Sequence, residues 1–219
     1  MLSQTEENYL KCIYTLGLKE GGEINTNAIS AEMKTRAASV TDMLKRLADK
    51  TLLDYTPYHG VRLTAEGERL SKNLIRNHRL WEVFLVDTLS FSWDEVHDIA
   101  EQLEHINSPL LIKRLDKFLG FPRTDPHGDP IPDEEGNYFT NNTIPLAELE
   151  MNTNAVIAGV KDHSTAFLQF LDSNKLTLGT KIEVVRLVDY DHSLVLKIAG
   201  KKNITISDRV AKNLLVSLI

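Results

Sequence analysis

Four residues in the stretch EVHDIAEQLEHI, Glu95 to Ile106, have types and spacing that suit metal chemistry: His97, Glu101, Glu104 and His105. On a helix that turns about 100° per residue, they fall within an arc of about 100°. Val96, Ile99, Ala100, Leu103 and Ile106 take the opposite and flanking directions. A solvated helix face ordinarily mixes Lys or Arg with its acids. This face offers only imidazoles and carboxylates, the side chains that hold divalent ions. A second pair, His78 and Glu82, is spaced four residues apart and so shares one face of the preceding helix. Ligands at i, i+3 and i+4 converge on a point, and two such helices joined by a short turn can lie antiparallel and share ions. Six candidate ligands accommodate two ions per chain more readily than one. A nitrogen and oxygen set without thiolate suits Mn(II) or Fe(II) and argues against a zinc-finger-like structural site.

The charge distribution agrees with this. The 219-residue chain has a formal net charge of −6. Residues 1–80 carry 12 basic and 10 acidic side chains, and residues 141–219 carry 9 and 8. Residues 81–140 carry 4 basic and 13 acidic, so the acidic surplus sits where the His/Glu face is. Bound cations would relieve the self-repulsion of such a segment. The single cysteine, Cys12, lies in an apolar-periodic stretch; it reads as core, rules out an intrachain disulfide framework and suits a reducing cytoplasm. No apolar run approaches the ~20 residues that cross a bilayer. The opening MLSQTEENYLK lacks a basic segment followed by an apolar one, so no signal peptide is expected.

The elements that must position these residues can be read in order. A first helix is expected over about Glu6 to Leu18, ended by EGGE, and a short second one over Thr26 or Asn27 to Met33, with Thr26 or Asn27 as its N-cap. A third follows from about Ala38 to Lys50, with Val40, Met43, Leu44 and Leu47 at helical spacing. Two short strands, Leu52 to Thr56 and Val61 to Thr64, flank the turn PYHG. This order is that of a winged helix-turn-helix, in which the third helix enters the major groove of double-stranded DNA. Arg36, Ala38, Ser39, Thr41 and Asp42 stand around the N-terminus of that helix, and Lys45 and Arg46 can face the phosphate backbone, as can Lys50. Lys34 to Lys50 holds five basic residues and two acids.

A long helix from Ala65 to about Leu89 carries His78 and Glu82. The next is expected to start at Ser92 as N-cap, with Glu95 completing a capping box, and to carry the metal face. SPLLIKRLDKFLG gives a shorter helix closed by Gly120. Phe121 to Asn142, rich in Pro, Gly, Asp and Asn, reads as a loop and domain linker. The runs AVIAGV, KIEVVRLV, SLVLKIA and NITIS then alternate with period two, with short helices near Ala166 to Leu171 and Asp208 to Leu215, and suggest a small β-barrel. The fold class is therefore mainly α with a β module. The expected domains are residues 1–70 for DNA binding, 71–142 for metal binding and dimerisation, and 143–219 for the barrel.

Taken together, the winged helix, the motif H-R-L-x-E (His78 to Glu82), the motif H-D-x-A-x-x-x-E-H (His97 to His105) and the loop PHGDPIP (Pro126 to Pro132) resemble the diphtheria toxin repressor family of iron- and manganese-dependent transcriptional repressors. The C-terminal LTLGTKIEVV resembles the Src-homology-3-like barrel of its longer members. The resemblance implies a cytoplasmic homodimeric repressor that binds palindromic operator DNA when loaded with Mn(II), or next Fe(II), and controls metal homeostasis; it does not imply an enzyme. It further implies a primary site from Glu101, Glu104, His105 and Asn8, and an ancillary site from His78, Glu82 and His97 with His163 from the barrel. Glu101 stands where the iron branch has Cys. Asn8 and Lys11 stand where the manganese branch has Asp and Glu, which favours separated sites over a close two-metal cluster. Two readings compete with this one: a winged-helix regulator that senses an organic ligand, and a metalloenzyme that uses the same His/Glu face.

Overall fold

The computed structural model describes residues 2–56, 60–139, 142–198 and 203–219. Close packing divides the chain into two compact units interleaved along the sequence. The first comprises Met1–His78, Glu101–Ile112 and Pro132–Tyr138; the second comprises Arg79–Ala100, Lys113–Ile131 and Phe139–Ile219.

In the first unit, α1 (Gln4–Glu20) starts two residues before the expected point. Ser3 Oγ accepts from the Glu6 N–H while the Glu6 carboxylate accepts from the Ser3 N–H, which closes a capping box. Glu6 also accepts from Lys50 Nζ at 2.6 Å. Helix α2 (Thr26–Glu32) is capped by Asn25, whose Oδ1 accepts from the Ala28 N–H at 2.8 Å, so the cap lies one or two residues earlier than expected. Helix α3 (Ala37–Asp49) buries Val40, Leu44 and Leu47 completely, in a core with Leu10, Ile13, Ile29, Leu53 and Val61. Each such side chain contributes about 1.5–3 kcal/mol of transfer free energy. Strands β1 (Leu53–Thr56) and β2 (Gly60–Leu63) pair antiparallel, with Leu53 opposite Leu63. Ile24 adds an unforeseen rung by exchanging both backbone hydrogen bonds with Val61. Most of the PYHG turn, residues 57–59, lies outside the described residues.

Cys12 belongs to this core, and burial pushes its thiol up to about 12. The thiolate is the reactive form, so the native protein at pH 8 should resist an aromatic disulfide reagent that modifies the urea-unfolded chain at once. Fast labelling of the native protein would mean that α1 opens readily.

Helix α4 (Ala65–Asp87) is as expected within two residues at its end. The helix expected from Ser92 forms only as α5 (His97–Leu103). The Ser92 N–H does donate to Glu95 Oε2 at 3.0 Å, but the Ser92 hydroxyl turns to Asp94 and leaves the other half of the capping box unmade. Residues 93–95 form a turn instead, and the helix begins after it. It also stops early: Glu104 and His105 lie in a turn closed by Ile106 N–H to Leu103 O, three residues ahead of Pro109. The single metal-binding face over Glu95 to Ile106 is therefore corrected to a seven-residue helix followed by a turn. Helix α6 (Pro109–Phe118) follows.

The C-terminal part of the second unit contains β3 (Ile144–Pro145), a 3-10 turn (Leu146–Glu148), β4 (Asn154–Val160), α7 (Thr165–Asn174), β5 (Lys181–Leu187), β6 (Leu194–Ile198), β7 (Asn203–Ile206), α8 (Asp208–Asn213) and β8 (Leu214–Leu218). The six strands form one antiparallel sheet in the order β3-β8-β4-β5-β6-β7. Irregularities at Ile157/Gly159 and Val184/Arg186 shift its register, and such bulges add twist. Ile157, Leu168, Leu171, Val184, Leu196 and Val216 build its core. The last helix ends before the expected Leu215, because Leu214 and Val216 alternate with Leu215 and Ser217 at a strand's period of two. Among the described residues, no helix is long and apolar enough to cross a membrane.

Candidate metal centre

In the second unit, α4 supplies Glu82, 2% exposed. His97 Nδ1, at the start of α5, lies 3.7 Å from Glu82 Oε1 on the exposed side. The opposite side is closed by Thr124 to Pro130, from the segment read as a linker. Asp125 Oδ1 accepts from the N–H groups of His127 (2.8 Å) and Asp129 (3.0 Å), an Asx-type turn that fixes the loop. Arg79, one turn before Glu82 on α4, donates to Pro130 O at 2.5 Å and to Asp129 at 3.1 Å, and its Nε lies 3.5 Å from Asp125. The His127 carbonyl accepts from the Val160 N–H at 3.0 Å, which ties the loop to β4.

This scaffold aims His127. Its Nε2 lies 2.8 Å from the Trp93 carbonyl and donates to it. Among the described residues its buried Nδ1 has no partner within hydrogen-bond distance; it lies 3.7 Å from Glu82 Oε2 and 3.9 Å from Asp125 Oδ1. Glu82, Asp125 and His127 are all buried, and their ligand atoms lie within 4.8 Å of one another. Ions with bonds of about 2.0–2.6 Å hold ligand atoms at such separations. A backbone carbonyl that fixes one ring nitrogen while the other faces two carboxylates is the usual outer-shell arrangement of a metal-binding histidine. The residues fit a divalent ion. His163 stacks on His127 at 4.8 Å, with its Nε2 3.9 Å from Asp129. Asp125, His127 and Asp129 were not among the expected ligands.

Burial and the neighbouring charges set the protonation of this cluster. Burial, with the Asp129 and Glu82 charges, pushes the Asp125 carboxyl up to about 7 against the pull of Arg79 and His127. Burial alone would lower His127, but Glu82 and Asp125 outweigh it and raise the imidazole to about 9. Asp125 and His127 thus hold protons to higher pH than an ordinary carboxyl and imidazole do.

The other expected ligands gather in the first unit. Glu104, 2% exposed, accepts from His78 Nδ1 at 2.5 Å and from Lys11 Nζ at 2.6 Å. Burial pushes its carboxyl up, but the His78 hydrogen bond and the Lys11 charge outweigh this and hold it below the ordinary value. Lys11 also reaches Glu101 at 3.9 Å. His105 Nε2 lies 3.8 Å from Glu104 Oε1, and its Nδ1 lies 2.6 Å from Glu7. Asn8 is half-buried on α1; the first-helix carboxylate that meets His105 is Glu7. Asn77 donates to the Glu104 carbonyl at 3.2 Å and steadies the turn. By unit the expected ligands divide into His78, Glu101, Glu104 and His105 in the first and Glu82, His97 and His163 in the second. But His78 stands four residues before Glu82 on the continuous helix α4, and the ligand atoms of His78, Glu82 and His97 lie within 4.8 Å of one another.

Of the residues expected to meet DNA, Arg36, Ala38, Ser39, Asp42, Lys45 and Arg46 are exposed, on the side of α3 away from its buried stripe. Thr41 is half-buried, and its hydroxyl donates to the Ala37 carbonyl.

Three family models match the chain: iron dependent repressor, N-terminal DNA binding domain, over residues 1–61; iron dependent repressor, metal binding and dimerisation domain, over 64–133; and FeoA domain over 144–218. The iron-dependent repressor IdeR of Mycobacterium leprae is 34% identical over 131 residues, which is 60% of this chain and 56% of that protein's length. The diphtheria toxin repressor of Corynebacterium diphtheriae is 28% identical over 211 residues, 91% of each chain. A solved manganese-dependent transcriptional repressor in complex with manganese superposes with a TM-score of 0.85 at 30% identity, covering 98% of this chain and 100% of that one.

Proposed function

The chain belongs to the diphtheria toxin repressor family, whose members are metal-dependent transcriptional repressors and not enzymes, and from that premise we propose that it binds operator DNA as a homodimer in the cytoplasm when loaded with Mn(II) or, next, Fe(II). The observation that carries this reading is the buried Nδ1 of His127, set 3.7 Å and 3.9 Å from the carboxylates of Glu82 and Asp125. One ion is held there, with His97 and His163 at the rim. A second is held by Glu104, His105, Glu101 and His78, with Asn8 and Glu7 on α1. Both sets are rich in carboxylate oxygen, which suits hard Mn(II) better than a tetrahedral thiolate site would. In the DNA-reading face, Arg36, Ala38, Ser39, Thr41 and Asp42 address base edges and Lys45 and Arg46 address phosphates of a palindromic site. Residues 1–70, 71–142 and 143–219 serve DNA binding, metal binding with dimerisation, and support of the metal site. The apolar surface of α6 and its end, Leu110, Leu111, Phe118 and Phe121, is exposed and supplies a dimer contact.

When bound, the ion neutralises carboxylates that would otherwise repel. By reciprocity, operator DNA raises metal affinity as much as metal raises DNA affinity. The test is DNA binding by the full chain with and without chelator, with Mn(II) restored afterwards. Binding that survives chelation sinks the metal-dependent reading. Arg36→Ala should cost about 1–3 kcal/mol at its preferred sequence, whereas Lys45→Ala should weaken binding to every sequence and lower the salt slope by about one.

A further inference from the structure

Lys11 lies inside the first-unit cluster as a cation would. Its ammonium nitrogen is 2.6 Å from Glu104 Oε2, 3.3 Å from His78 Nδ1 and 3.9 Å from Glu101 Oε1. The Glu104 side chain is 1% exposed and that of Lys11 19%. A buried carboxylate is costly unless it is paired, and Lys11 is the full positive charge that pairs this one. The lysine ammonium is a compact point charge on a flexible four-carbon stem. It can neutralise a carboxylate cluster in the folded protein and still swing to solvent. A divalent ion on Glu104 would sit within a few ångströms of that ammonium and repel it, and Lys11 cannot lend an acceptor atom to the ion because it has only donors.

We infer that Lys11 is a built-in cation of the Glu101, Glu104 and His78 cluster, which a divalent metal must displace in order to bind there. The inference rests on the proposed reading of this cluster as a metal site. It gives the lysine two roles. It keeps the metal-free first unit folded by neutralising Glu104, and it sets the metal concentration at which the site fills. Lys11 stands on α1, whose Leu10 and Ile13 share a core with Val40 and Leu44 of the DNA-reading α3. Displacement of its side chain therefore starts at the helix that supports the recognition surface.

The test is titration of the metal-free full chain with Mn(II) alone, followed by calorimetry, for the wild type, Lys11→Met and Lys11→Arg. Methionine keeps the stem without the charge, and arginine keeps the charge. Lys11→Met should bind Mn(II) about tenfold or more tightly at one of its sites. Metal-free, it should melt below the wild type, and Mn(II) should close that difference. Lys11→Arg should stay near the wild type in both measurements. If Lys11→Met does not fold without metal, Lys11→Gln supplies the same comparison. Unchanged or weaker Mn(II) binding in the charge-free variants, with the wild type still filling this site, overturns the inference alone. If Glu104→Gln leaves the number of bound Mn(II) ions unchanged from the wild type, the cluster is no metal site, and both the reading and the inference fall.

Discussion

Gly128→Ala is expected to destabilise the protein by about 3 kcal/mol or more and to remove one bound metal ion per chain. Gly128 has a φ of +89°, a region that L-residues avoid, and it packs directly on β4. A Cβ there would lie 2.2 Å from the Ala158 carbonyl oxygen and 2.5 Å from the Gly159 Cα. Both are backbone atoms of a paired strand, so the loop must yield. The loop carries Asp125 and His127, whose aim depends on contacts of 2.8 Å to the Asp125 carboxylate and to the Trp93 carbonyl. A shift of one ångström separates Nδ1 from the carboxylates. Gly179→Ala is the control: its φ is +82°, but nothing lies within 4 Å of the added carbon. It should cost about 1–2 kcal/mol from the dihedral alone and leave metal binding intact. Urea unfolding and metal counts for the two variants decide the matter. Equal destabilisation and equal metal content would show that the loop is not clamped to the sheet.

That loop also marks where the sequence was hardest to read. Helices α1, α3 and α4 were legible because an apolar stripe at period 3.6 faces a core, and Val40, Leu44 and Leu47 are buried as their spacing requires. Strands β4 to β7 were legible through alternation, as with Ala155 and Ile157 inward. Asp125 and His127 obey no period. Their placement depends on an Asx turn, on Arg79 arriving from α4 and on β4 passing beneath Gly128, none of which lies nearby in sequence. Composition alone assigned PRTDPHGDP to a linker, although His, Gly and two Asp within five residues also fit a built turn.

The expected His/Glu face went wrong for a different reason. A helical wheel presumes an unbroken helix, but competition between Asp94 and the capping bond at Ser92 delays the start of α5, and the turn at Glu104 ends it. The residue types were informative even where the periodicity was not. Glu104 and His105 still approach each other and α1, while His97 approaches Glu82. The part played by Lys11 could not be read from spacing, since Lys11 and Glu104 are 93 residues apart in the chain.

Between about pH 6.5 and pH 9 the metal-free protein is expected to become steadily less stable, and the stabilisation by Mn(II) should grow over the same range. The sign follows from two raised pKa values. His127 is raised to about 9, so the stability from its protonated form is fully present below the unfolded value of about 6.5 and is lost as pH rises through 9. Asp125 is raised to about 7, so from about pH 4 upward the unfolded chain releases a proton that the folded one retains, and stability again falls with rising pH. Two kinds of group act in the opposite direction: carboxyls held low, such as Glu6 through Lys50 and Ser3, whose stabilisation is already complete above the unfolded value of about 4.3, and His163, held low chiefly by burial, whose contribution is complete above about 6.5. A divalent ion would replace the protons at Asp125 and His127, so protons compete with it less as pH rises. Each kcal/mol lost should lower the melting temperature by about 2–4 °C in a chain of this size. Asp125→Asn separates this cluster from the rest, because the amide oxygen can still accept from the His127 and Asp129 N–H groups while the titrating carboxyl is gone. Its metal-free melting curve should be flatter between about pH 5 and pH 7 than that of the wild type. A wild-type melting temperature that is level or rising between about pH 6.5 and pH 9, or a variant with the wild-type slope between about pH 5 and pH 7, would locate the proton uptake elsewhere.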